Sequence, residues 1–242
     1  MFKKIALASL VAVACFSAQA AEVSVSKLRI NMENAQTADF LSLFNQSETK
    51  KESFEVKLYK WSQKESVLGA DGKYSAPEEV LEESAAVLVS PKTLVVLPKQ
   101  EKVVRVILNN AAEAKKDYSY RMIINQLPSK EPGAGEQNVV NLLFKISLPI
   151  FVYNDKIKKA NEMNIEKSFI TEGGKKVLVL KNNDNQHIQI QNFVYNKDTK
   201  MSINHYILPG VTGKVSLPDE VNDAMIKAGV SLETDKGNIE LK

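Results

Sequence analysis

The chain has 242 residues, 44% hydrophobic and 25% charged, with a formal net charge of +3 and a single cysteine. So weak a net charge gives no strong field for nucleic acid or acidic lipid, and one cysteine gives no disulfide framework. Stability must come from buried apolar surface, and about 220 residues beyond a leader suffice for one large core or two modest ones.

At the N-terminus, Lys3 and Lys4 precede an apolar run of about a dozen residues, which ends at the small-residue site Ala18-Gln19-Ala20. The run falls short of the roughly twenty residues that a membrane-spanning helix needs. Residues 1–20 are therefore predicted to be a signal peptide and the remainder to be exported, soluble and not stably inserted in a membrane. Cys15 lies inside this segment, and its acylation after cleavage just before it is the alternative; cleavage after Ala20 leaves no cysteine.

From residue 23 onward, short runs rich in Val, Ile, Leu, Phe and Tyr recur about every ten residues between Gly, Pro, Asn and Asp, the spacing of a β-sandwich. Strands are predicted at 23–32, 37–45, 54–61, 85–89, 93–97, 103–109, 118–127 and 139–152, making one immunoglobulin-like domain over residues 21–153. Between 62 and 84 the chain turns polar and carries Glu78, Glu79, Glu82 and Glu83; it is predicted to be a solvated surface loop with at most one helical turn. Residues 154–161 read as a linker. Further strands are expected at 163–169, 176–181, 188–195, 205–208, 213–217, 230–233 and 239–241. They are joined by turn residues such as Gly173-Gly174 and Pro209-Gly210 into a smaller second immunoglobulin-like domain over residues 154–242. A short helical pattern at 220–228 is expected to cover a sandwich edge. The fold class is all-β, with two β-sandwich domains.

Catalytic signatures are missing from this pattern. The sequence has no G-x-S-x-G elbow, no H-E-x-x-H and no Gly-rich phosphate loop. His187 and His205 could meet on neighbouring strands, but a zinc site needs two further ligands. No enzyme, cofactor or metal is expected.

The segment 138–152 is the informative one. As a single strand its fifteen residues would run roughly 50 Å at about 3.3 Å per residue, well beyond an ordinary strand. Alternation puts Val140, Leu142, Phe144, Ile146, Leu148 and Ile150 on one wholly apolar face. Pro149 cannot donate to a ladder and favours an edge or a strand end. Edges with an apolar face invite pairing, so this one must be covered by its own fold or by a guest. Only three of the 32 basic residues are arginines, Arg29, Arg105 and Arg121. Each either offers a planar fork for carboxylates or carbonyls or lays its stem along the sandwich surface.

Several segments, in order, resemble the periplasmic chaperones of the chaperone-usher pilus pathway, the PapD-like family. They are Val23-Ser24-Val25-Ser26-Lys27-Leu28-Arg29, Val89-Ser90-Pro91 with Leu97-Pro98, Gln100 and Val104-Arg105-Val106, and Tyr118-Ser119-Tyr120-Arg121 with Leu127-Pro128. The resemblance implies a periplasmic protein of two immunoglobulin-like domains set at an angle. The long edge strand of the first would be lent to an incomplete pilus subunit until an outer-membrane usher takes that subunit over. Carried over by position, Val140, Leu142, Phe144 and Ile146 would fill the groove of the pilin. The family anchors the C-terminal carboxylate of the pilin with two basic residues. Arg29 matches the first, whereas Pro149 stands where better-known members have lysine, which leaves Arg105, Arg121 and Lys145 as candidates for the second. The short Gly/Pro-rich connection at 128–137 resembles the short-loop members, or an archaic or alternative branch. The competing reading is a two-domain immunoglobulin-like binding protein without chaperone activity, with the long strand wholly internal. A pilus subunit is the less fitting alternative, since subunits have one domain and a disulfide.

Overall fold

The structure is a computed structural model, and it describes residues 23–33, 36–109, 117–128, 143–196 and 199–241. Among the described residues, ten strands build the first sandwich: β1 (Val23–Val25), β2 (Ile30–Met32), β3 (Ala38–Asn45), β4 (Glu52–Gln63), β5 (Glu79–Glu83), β6 (Val87–Ser90), β7 (Thr93–Val96), β8 (Glu101–Leu108), β9 (Tyr118–Leu127) and β10 (Lys145–Val152). One sheet has the order β1-β3-β8-β6, and the other has the order β2-β10-β9-β4-β5, with β7 also on β4. The segment expected as one strand over 23–32 is thus two short strands in opposite sheets. Residues 26–29 carry the chain across the sandwich, which lets one segment flank both.

The polar excursion after β4 also differs from the expected loop. Its acidic end is strand β5, paired with β4 from Tyr59↔Glu83 to Gln63↔Glu79. The glutamates flank Val80 and Leu81 on an edge where carboxylates stay solvated, so a charge run conceals a strand.

Seven strands build the second sandwich: β11 (Ile165–Glu172), β12 (Lys175–Asn182) and β15 (Thr212–Ser216) form one sheet, and β14 (Thr199–Ile207), β13 (Ile188–Tyr195), β16 (Val230–Thr234) and β17 (Gly237–Leu241) form the other in that order. The β11–β12 turn uses Gly173 and Gly174 at φ 57° and 78°, the left-handed region glycine enters without a Cβ penalty. The helical pattern at 220–228 becomes a shorter helix, α1 (Asp223–Ala228), capped by Asn222, whose side chain accepts from the N–H groups of Ala224 and Met225. Among the described residues no helix is long and apolar enough to cross a membrane.

Alternation explains the two cores. Phe54 and Val56 of β4, Tyr120, Met122 and Ile124 of β9, and Leu148, Ile150 and Val152 of β10 point into the first sandwich. The opposite parity of β4 and β10 gives Trp61 and Phe151, which are buried in the second core beside Ile188, Ile190, Phe193 and Ile207. These two strands therefore serve both domains, one on each face. A strap from residue 63 to 77 reinforces the junction: Gln63 donates to the Tyr206 carbonyl and accepts from the Leu208 N–H. Ser66 and Tyr74 bind Lys214 and Ser216 along β15. Gly213 of β15 packs so closely that an added Cβ would lie 2.8 Å from the Ile207 side chain, with Pro77 next to it.

Candidate functional site

Strand β10 divides in two along its outer edge. On its inner side it pairs antiparallel with β9 over its whole length, from Lys145↔Asn125 to Val152↔Tyr118. On the outer side, parallel β2 covers only Ile150, Phe151 and Val152. Among the described residues nothing pairs with Lys145, Ile146, Ser147, Leu148 or Pro149 on that side. The Phe144 carbonyl accepts from the Gln126 N–H at 2.9 Å. In an antiparallel ladder the bonding direction alternates. The backbone groups of Lys145 and Ser147 therefore turn outward, and the missing N–H of Pro149 also falls on the open side.

The apolar parity of this strand changes character along its length. Ile150 and Leu148 are buried, Ile146 is half-buried against the first core, and Phe144 stands 39% exposed beside an exposed Leu143. The face that closes the first core at the β2 end thus becomes a solvent-facing apolar surface at the other. Val140 and Leu142, which sequence parity puts on the same face, lie outside the described residues.

The basic candidates separate clearly. Arg105 lies on the opposite sheet, in β8, exposed and in register with Ser90 and Phe40. Lys145 opens β10, exposed and across from Asn125. Arg121 lies directly across from Pro149. The β2–β10 register, continued one residue back from Ile30↔Ile150, sets Arg29 beside Pro149 on the other flank. Arg29, Pro149 and Arg121 thus make one row that faces the second domain.

Within this cleft the arginines have different settings. Arg121 is buried, pairs with Glu79 of β5, and lays its guanidinium over Trp61, 3.8 Å from the ring centroid, with Tyr206 at 5.7 Å. Cation–π contact in a desolvated setting holds such a group firmly. Its Nε and the Trp61 Nε1 are buried without an acceptor among the described residues. Arg29 is the open one: 29% of its side chain is exposed, and one Nη donates to Asp235 of the β16–β17 turn at 2.6 Å. Tyr206 responds to both: burial pushes its hydroxyl up, and the Arg29 and Arg121 charges pull against that.

Behind Arg29 lies a polar group of the second domain. The Asp235 carboxylate accepts from the Gln189 N–H at 2.8 Å and contacts His187 Nε2 at 3.2 Å. Burial pushes its carboxyl up, but these hydrogen bonds and the Arg29 charge outweigh that and leave it below the usual range. His187 stacks on Phe151 with centroids 3.4 Å apart and planes 9° from parallel, and its Nδ1 faces the Tyr153 hydroxyl at 3.4 Å. Burial drives the His187 pKa down to about 4. Neighbouring Lys236 is pushed down to about 8, also chiefly by burial, against the pull of Asp235, Asp117 and Asp184.

His187 and His205 do not come together. His205 faces Ile190 across the β13–β14 ladder, while His187 belongs to the cleft. Among the described residues no three His, Cys, Asp or Glu side chains gather as metal ligands. Asp235, His187 and Tyr206 carry no sequence signal of a role in the cleft, because each comes from the second domain and meets Arg29 only through tertiary packing. Trp61, the single tryptophan, was the one available signal.

The fold is similar to solved structures. A chain of the CsuC–CsuE chaperone–tip adhesion subunit pre-assembly complex from archaic Csu pili of Acinetobacter baumannii matches with a TM-score of 0.65 and 18% identity over 90% of this chain and 97% of that one. The E. coli chaperone DraB matches with a TM-score of 0.60 and 14% identity over 91% and 97%. The Salmonella enterica complex of SafA pilin with the SafB chaperone matches with a TM-score of 0.60 and 13% identity over 90% and 94%. No curated protein sequence matches the chain. Residues 22–158, more than half of the sequence, match the pili and flagellar-assembly chaperone family through its PapD N-terminal domain, and the chain belongs to that family.

Proposed function

We propose that this protein is a periplasmic chaperone that holds pilus subunits by donating the open edge of β10 and passes them to an outer-membrane usher. The observation that carries the reading is the divided outer edge of that strand. Among the described residues, Lys145 and Ser147 present outward backbone groups that no strand pairs, beside an apolar side-chain row that emerges from the core at Ile146 and stands open at Phe144. An extended partner strand would satisfy those groups while its own core took up the row, which is recognition by strand addition.

In this reading Phe144, with Leu142 and Val140 ahead of it, fills the groove of the pilin, and Ile146 marks where the row passes back into the chaperone. Each side chain fully buried in the guest contributes about 1.5 to 3 kcal/mol, so affinity resides in the strand. Arg29 receives the pilin carboxylate at the cleft. Arg121, which is committed to Glu79 and the Trp61 ring, contributes charge from the cleft floor, and Arg105 on the far sheet takes no part. A partly exposed arginine–carboxylate contact is worth about 0 to 1 kcal/mol; its role is to fix register, because a slip of one residue turns the apolar row away from the groove.

The test is expression of the tagged chain in the periplasm together with its pilins, followed by native mass spectrometry of what co-purifies. A 1:1 complex with a pilin supports the reading. A wild-type protein that elutes free while pilins are present overturns it and leaves a two-domain binding protein with no chaperone activity.

A further inference from the structure

The contacts behind Arg29 form a closed circuit across the domain junction. Phe151, in β10 of the first sandwich, stacks on His187 of the second. His187 contacts Asp235 Oδ2, which also accepts from Arg29, and Arg29 stands beside Pro149, two residues from Phe151 in β10. Asp235 Oδ1 is fixed by the Gln189 backbone N–H. The carboxylate is 4% exposed, against 29% for the Arg29 side chain. A guanidinium has five N–H donors in a rigid fork, and the geometry spends an Nη donor on Asp235 while the group keeps an open face.

From this we infer that Asp235, steadied by His187, is a positioning residue that aims Arg29 at an incoming C-terminal carboxylate. The second domain thereby keeps the anchor in register with β10. The inference rests on the reading of Arg29 as the carboxylate anchor. It differs from a mere domain latch, in which Asp235 would compete with the guest for Arg29 and its removal would strengthen carboxylate binding. Pre-organisation lowers the ordering cost of the anchor, so removal of Asp235 is expected to weaken recognition of the carboxylate while leaving recognition of the strand alone.

The experiment uses the full chain and two synthetic strand peptides of the same alternating apolar sequence, one ending in a free carboxylate and one in an amide. Titration calorimetry compares wild type, Arg29→Ala, Asp235→Ala and Asp235→Asn, with thermal melts to confirm folding. Wild type is expected to prefer the acid over the amide about fivefold, and Arg29→Ala to bind both equally. Asp235→Ala is expected to fall to within about twofold of no preference. Asp235→Asn tests the same point should the alanine variant unfold: its amide keeps an oxygen for Gln189 but turns a donor toward the Arg29 donors, and it too should lose the preference. If the Asp235 variants that fold keep or increase the acid preference while Arg29→Ala abolishes it, positioning is overturned and the anchor survives. If Arg29→Ala keeps the wild-type preference, or wild type has none, the anchor itself fails.

Discussion

The two sandwiches treat apolar surface in opposite ways. In the first, Phe40, Phe44, Leu88, Val95, Leu97, Val103, Ile107, Leu143 and Phe144 are all exposed, whereas among the described residues of the second only Ile170 is an exposed large apolar side chain. Both bury polar groups, Ser42, Asn45, Ser47 and Arg121 in the first and Asn182, Asp184, Gln186, His187 and Thr234 in the second. Those of the second are all partnered, Asn182, for example, donating to the Gln186 and Ile207 carbonyls, whereas Arg121 Nε in the first has no acceptor among the described residues. Natural monomers seldom leave large contiguous apolar patches without a use, while satisfied polar networks rigidify a core. In the proposed reading only Leu143 and Phe144 of these exposed side chains lie at the open end of β10 that meets a guest, and the second domain supplies the cleft residues behind Arg29.

The sharpest way to break that comparison is at the open row. A Leu142→Asp, Phe144→Asp double substitution should reduce capture of pilins by at least about a hundredfold, from roughly 3 to 6 kcal/mol of lost burial. Circular dichroism and the melting temperature should stay near wild type, since Phe144 is exposed in the free protein. A fold lost together with capture would mean that the row belongs to the chaperone's own core.

A substitution in the scaffold should behave in the reverse manner. Phe193→Ala, at a fully buried site of the second core, is expected to cost about 3 to 5 kcal/mol in denaturant unfolding. Any capture that survives in the folded fraction should keep wild-type affinity for an amidated strand peptide. Weakened binding of that peptide by the folded variant would place part of the contact surface in the second domain.

Acid provides a smaller test of the same scaffold. His187 is held near pKa 4 by burial and returns to about 6.5 when unfolded. The unfolded chain therefore binds the extra proton first. The stability associated with neutral His187 is fully present above pH 6.5, is lost as pH falls from 6.5 toward 4, and levels off below. The full loss is of order 3 kcal/mol, read from urea midpoints at pH 7 and pH 4 after subtraction of the same series for His187→Gln, whose curve should be flatter over that window. Equal slopes in the two proteins would remove His187 as the source.

The smallest expected effect is on the far sheet. Arg105→Ala should change stability by no more than about 0.5 kcal/mol and leave pilin capture unaltered, since Arg105 faces solvent away from both β10 and the cleft. A clear drop in capture with intact folding would give the outer face of β1-β3-β8-β6 a role in binding.

Most strands are legible in the sequence because alternation and turn residues are local properties. The strands expected at 188–195 and 118–127 have the bounds that β13 and β9 adopt. Where the expectation fails, a non-local partner is decisive. The segment 23–32 divides because each half finds a different sheet, and the glutamates at 79, 82 and 83 join a strand because β4 extends far enough to pair with them. Pro149 is recognisable as an edge or strand-end residue from chemistry alone, since a missing N–H needs no partner to be known.

The sequence by itself determined the all-β class, the parity of the apolar row where it is described, from Phe144 to Val152, and the rarity of arginine, because these depend on neighbours one or two residues apart or on composition. Only the tertiary structure decided that Arg29 and Arg121 flank Pro149 while Arg105 faces away. Only it, too, decided that Asp235, 206 positions beyond Arg29 in the chain, stands behind the first of them. Residues so far apart meet only after two cores have formed and packed together, and no local pattern encodes the relative placement of those cores.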